Sequence, residues 1–108
     1  MDVTILFTTI ITDLARLLAE SRRENGRITA LDAGALINEI YGIPGRQREI
    51  EPVPKSIDDV PLYTRKGIRE SLRDGAGVSE DIIDDVMREA VAAAHHLYQI
   101  VAIFERQK

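Results

Sequence analysis

Residues 79–105 read SEDIIDDVMREAVAAAHHLYQIVAIFE, and the spacing of their apolar positions decides the fold. Ile83, Val86, Ala90, Ala93, Leu97, Ile100 and Phe104 recur at alternating steps of three and four, the seven-residue repeat of a packed helix. A second line one step round, formed by Met87, Val91, Ala94, Tyr98 and Val101, widens the apolar face beyond the narrow seam of a two-stranded coiled coil. A helix with so wide a face needs cover on two sides. Ser79 is placed to cap its start, and Glu80 and Asp81 lie in the first turn, where the helix dipole favours negative charge.

The rest of the chain supplies shorter pieces. Residues 3–23 carry Val3, Phe7, Ile10, Leu14 and Leu17 at helical spacing, with Ile11 and Leu18 on a neighbouring line and Asn25-Gly26 as a stop. The first nine of these are rich in β-branched residues and admit a strand. With no second strand evident to pair with it, the helix is preferred. Thr29-Ala30-Leu31-Asp32 resembles a capping box and introduces a short helix over 30–41. All four prolines, Pro44, Pro52, Pro54 and Pro61, then fall between 42 and 61, which reads as a loop with a helical turn near 56–60. Residues 62–73 form a modest third helix with Arg65, Lys66, Arg69 and Arg73 along one row, ended by Asp74-Gly75-Ala76-Gly77. The expected fold is therefore all-α: residues 1–108 as one small bundle of about four helices, two long and two short, with a proline-rich loop at 42–61.

Composition narrows the chemistry. A chain of 108 residues, 44% hydrophobic, can bury roughly two thirds of its unfolded surface, so packing alone suffices. Without cysteine there is no disulfide, thiolate-bound zinc or thiol catalysis. The apolar start has no basic residue before it, as a signal peptide requires, and Asp13, Arg16 and several threonines interrupt it as a membrane span. A cytoplasmic protein is expected. The net charge of −4 is uneven, because the acidic excess sits at both ends while residues 22–73 are slightly basic. Only that middle stretch could attract a polyanion, and weakly.

Several constellations invite function. His95 and His96 are adjacent, but Glu89 lies about 10 Å of helix rise from His96, too far to share an ion without another helix. Both histidines fall opposite the apolar seam, where a solvated face is expected. No cofactor or metal is expected. The basic row on the third helix should meet Glu80, Asp81, Asp84 and Asp85 once the tight connection at 74–78 folds it back on the fourth helix. Gly75-Ala76-Gly77 lacks the strand and the Lys-Ser/Thr pair of a phosphate loop, and no Gly-x-Ser-x-Gly turn exists to mount a nucleophile.

Two resemblances bear on function. Asp81-Ile82-Ile83-Asp84-Asp85-Val86 resembles the acidic motif of the all-α nucleotide pyrophosphohydrolases, which implies a metal-dependent enzyme holding magnesium between two helices. Their partner cluster, Glu-Glu-x-x-Glu, has no counterpart in a chain whose other strongly apolar helices carry only Glu20 and Glu39. The segments GRITAL at 26–31 and IPGRQR at 43–48 resemble a helix-turn-helix with Gly42 at the turn. That implies a DNA-binding regulator whose short recognition helix, 45–51, presents Arg46, Gln47 and Arg48. Asn38 and Arg48 stand where that pattern wants a small residue and an aliphatic anchor, and Pro52 and Pro54 cut the recognition helix short.

The reading that remains is a non-catalytic protein-interaction module, an adaptor, regulator or inhibitor. Its partner surface would be drawn from Arg46, Arg48, Arg65, Lys66, Arg69 and Arg73. The wide face of the fourth helix further points to a homodimer, because covering several hundred Å² of it contributes on the order of 10 kcal/mol before association costs.

Overall fold

A computed structural model describes residues 3–23, 32 and 48–106. The helix expected over 30–41, residue 32 apart, and the turn proposed around Gly42 lie outside the described residues. The remainder is mostly helical. Strand β1 (Val3–Ile5) leads into helix α1 (Phe7–Arg23), and strand β2 (Arg48–Ile50) is followed by a 3-10 turn at Ile57–Asp59. Helix α2 (Leu62–Glu70) widens into a π turn at Ser71–Gly75, and helix α3 (Glu80–Arg106) follows.

α1 and α3 form the principal contact, and α2 with its π turn packs on both. The core is a single cluster. From α1 it takes Ile10, Ile11, Leu14, Ala15, Leu18 and Ala19, and from α3 Ile83, Val86, Met87, Ala90, Val91, Ala93, Ala94 and Leu97. Every position of the heptad pattern from Ile83 to Leu97 is buried, Leu97 to 1% exposure, and so are Met87, Val91 and Ala94 on the second line. The wide face is thus closed over 83–97 by the chain itself. Alanines at 90, 93 and 94 facing a helix that carries Ala15 and Ala19 keep side-chain bulk low at this contact, so two long helices plus the short elements cover this stretch, more than the width of the face leads one to expect of them. Ile100, one turn on, is only half-buried.

The chain start corrects a second expectation. Residues 3–5 are strand rather than helix, and a partner does exist: β2 pairs parallel to β1, with Val3, Thr4 and Ile5 opposite Arg48, Glu49 and Ile50. Arg48-Glu49-Ile50 carries too little apolar content to read as a strand by itself, and three residues suffice only because its neighbour is supplied by tertiary structure. The same pairing overturns the recognition helix over 45–51, since residues 48–50 are extended.

Over its described residues the proline-rich segment is attached to the bundle. Val53 and Val60 are buried in the core and Ile57 packs against it. Two polar clips hold the segment down. The Glu51 carboxylate accepts the Phe7 backbone N–H at 3.1 Å, which caps an α1 that has no acidic residue in its own first turn. The Val53 carbonyl lies 3.0 Å from His95 Nδ1, whose proton it can accept. His95 is therefore half-buried beneath the segment, contrary to the solvated position read from the heptad. A one-helix wheel cannot reveal a strand-like segment lying across its polar side.

At the other end, the turn from α2 into α3 follows the expected chemistry. The Ala76 N–H donates to the Ser71 carbonyl and the Val78 N–H to the Leu72 carbonyl at 2.9 Å, around Gly77 at φ +67°. This is the left-handed closure of a helix end, one residue wider than usual because the last turn is π. Ser79 Oγ accepts the Asp81 N–H at 3.3 Å, the N-cap that the sequence implies.

Leu97→Asp places an unpaired carboxylate in the core and should destabilise the chain by on the order of 4 kcal/mol or more, read by denaturant unfolding. An unchanged melting temperature would contradict the burial of this face. Val53→Ala should cost about 2 kcal/mol by loss of buried methyl groups, whereas no change would show that the segment does not contribute to the core.

Candidate functional site

The basic row on α2 meets the acidic row at the start of α3 because the tight turn at 74–78 folds the two helices back to back. Arg69 bridges two carboxylates, donating from Nη2 to Glu80 at 2.6 Å and from Nη1 to Asp84. Arg73 pairs with Asp74 at 3.0 Å and reaches Glu80 at 3.5 Å. Asp85 is taken by Arg88 from its own helix at 3.2 Å, and Glu89 is bound by Arg22 from α1. The charge pairing expected from sequence is present for Arg69 and Arg73 with Glu80 and Asp84. It does not extend to Asp81 or Asp85. At Asp74 the hydrogen bond from Arg73, opposed by some desolvation and aided by the Arg73 charge, holds the carboxyl below the usual carboxylate range. The same contact raises the Arg73 guanidinium.

Of the basic residues selected from sequence, Arg65 and Lys66 have no carboxylate partner among the described residues. Arg46 lies outside the described residues, and Arg48 is described only as a residue of β2. Arg65 Nε is shut off from solvent and has no hydrogen-bond partner. Beside it opens a cleft of about 390 Å³ between the 3-10 turn, α2 and α3, lined by Ile57, Leu62, Arg65, Lys66, Arg69 and Met87 among others.

Sequence reasoning missed a second hollow entirely. A groove of about 710 Å³ runs between the start of α1 and α2, where Thr8, Thr9 and Thr12 face Tyr63, Thr64 and Lys66. Thr12 Oγ1 also donates to the Thr8 carbonyl at 2.7 Å, so this hydroxyl serves its own helix. Individual threonines in an apolar window carry no pattern, which is why only the assembled helices reveal the groove. Two large apolar side chains stand exposed at the head of α2, Leu62 at 75% and Tyr63 at 90%. Among the described residues, no three histidine, aspartate or glutamate side chains gather as a metal ion would need. The carboxylates that resemble the pyrophosphohydrolase motif face arginines: Asp84 meets Arg69, and Asp85 meets Arg88. Nor is any helix among the described residues long and apolar enough to cross a membrane.

No family model, curated protein or solved structure matches this chain.

The pairs of Arg69 and Arg73 with the acidic row are exposed, so a double-mutant cycle on Arg69 and Glu80 should give a coupling under about 1 kcal/mol that falls further with salt. A coupling of several kcal/mol would contradict an exposed pair. Asp74 should titrate below the ordinary carboxylate range in an NMR titration and return towards it in Arg73→Ala. The sign follows from linkage: a depressed folded value contributes stability above the unfolded value, and this is lost as pH falls through the folded one.

Proposed function

We propose that the chain is a non-catalytic protein-interaction module, an adaptor, regulator or inhibitor of the cytoplasm. Its bundle is completed by a fourth, short helix over 30–41, and a second copy joins it at the end of α3. The observation that supports the module most directly is the disposition of its reactive side chains. The carboxylates at 74, 80, 84, 85 and 89 are engaged with arginines, those at 80, 84 and 89 across two helices, while the large apolar side chains of Leu62 and Tyr63 are turned outward. Groups committed to one another in this way serve orientation, and an outward apolar pair serves contact with another surface. For self-association the support is narrower than the sequence suggested. It rests on half-buried Ile100, beyond which the heptad pattern continues to Phe104.

Light scattering across a dilution series tests the assembly. A mass near twice 12.1 kDa is expected, and Ile100→Asp should return it to that of a single chain while the melting temperature stays within a few degrees, as for a substitution outside the core. A single-chain mass at every concentration would remove self-association. Retention on heparin that falls steeply with salt would instead favour the DNA-binding reading, and magnesium-dependent nucleotide hydrolysis would establish the enzymatic one.

A further inference from the structure

We propose that the head of α2 is the docking surface for an acidic, partly apolar segment of a partner protein, with carboxylates over Arg65 and Lys66 and apolar side chains over Leu62 and Tyr63. The inference rests on the interaction-module reading and names the surface and the class of partner. Three observations converge on this one face.

The first is charge. Arg16, Arg22, Arg69, Arg73 and Arg88 each have a carboxylate within their own chain. Arg65 and Lys66, consecutive in sequence, have none among the described residues, and Arg65 Nε is closed from solvent with its N–H unmatched. Lys66 is exposed, so its ammonium can donate a charge-assisted hydrogen bond to an incoming carboxylate, and Arg65 beside it adds positive charge.

The second is the apolar pair. Leu62 and Tyr63 occupy the turn before Arg65 and Lys66, at helical spacings of three and four, so the exposed apolar surface and the free cations share one stretch of helix. Scattered exposed apolar residues are ordinary, but here they sit beside unmatched charge.

The third is shape. α2 is flanked by hollows on both sides, the cleft towards α3 and the groove towards α1. Lys66 borders both, with Leu62 on one side and Tyr63 on the other. A segment laid across α2 can therefore seat side chains in two depressions while passing over Lys66.

The surroundings select against a nucleic acid. Asp58 and Asp84 line the cleft with the paired Arg69 and Arg88, and Asp13 and Glu70 line the groove, so a continuous row of phosphates would meet carboxylates on both sides of α2. A protein segment can place one or two carboxylates and leave the remaining positions uncharged, which gives both attraction and discrimination.

The test uses three labelled peptides that share leucine and phenylalanine positions and carry glutamate, serine or lysine between them, together with a single-stranded oligonucleotide. Binding is followed by fluorescence anisotropy on the full chain. The glutamate peptide is expected to bind best, and raising salt from about 50 to about 500 mM should weaken it by about tenfold. Lys66→Glu should weaken it by about tenfold or more and bring up binding of the lysine peptide. Tyr63→Ser should weaken all three alike. Both positions are exposed, and unchanged melting of each variant verifies the fold. Equal binding of the glutamate and serine peptides, lost in Tyr63→Ser, would overturn the acidic partner while leaving an interaction module. Tight binding of the oligonucleotide with none of the peptides would overturn the module as well. A doubled mass that Tyr63→Ser abolishes would give the surface to a second copy and overturn the proposal.

Discussion

The contact between α1 and α3 is the constraint on which the other elements depend. Ile10, Ile11, Leu14 and Leu18 are wholly withdrawn from water in the same cluster as Ile83, Val86, Val91 and Leu97. Burial of side chains of this size stabilises by about 1.5–3 kcal/mol each, well above what any exposed ion pair of this chain can contribute. The alanines of both helices matter as much as the large residues, because they keep bulk low where the two helices meet. With that contact in place, α2 needs little apolar surface of its own: Ile68 and Leu72 suffice, and the charged row is left to settle its orientation.

The segment between β2 and α2 shows how a polar, proline-containing stretch becomes structural. Its prolines favour extended backbone, which leaves few helical hydrogen bonds to form within the segment. Attachment comes instead from the edges. β1 supplies a ladder, Glu51 supplies the acceptor that the start of α1 lacks, and the Val53 carbonyl meets His95. Val53 and Val60 then enter the core on either side of the 3-10 turn. One carboxylate thus performs for α1 what Ser79 performs for α3, across a separation of 44 residues rather than two.

How much of this was legible depended on whether the signal was local. The long helix, its cap at Ser79, the turn at 74–78 and the pairing of Arg69 and Arg73 with Glu80 follow from spacings within about a dozen residues, and the sequence carries them openly. The strand pair was not legible, because Arg48-Glu49-Ile50 is a strand only in the presence of Val3-Thr4-Ile5. The half-burial of His95 was hidden for the same reason: the heptad places it opposite the seam, and the crossing segment meets it there through the Val53 carbonyl. The candidate surface was half visible. Arg65 and Lys66 could be named as basic, but which arginines remain unpaired, and that α2 lies between two hollows, emerges only when three helices meet.

The central claim is that one chain closes the face of α3 over residues 83–97. Amide hydrogen exchange across a dilution series tests it most directly. The account predicts that these amides are the most protected in the chain and that their exchange rates do not depend on protein concentration. Protection that falls away on dilution would contradict it, and would mean that a second chain supplies the cover.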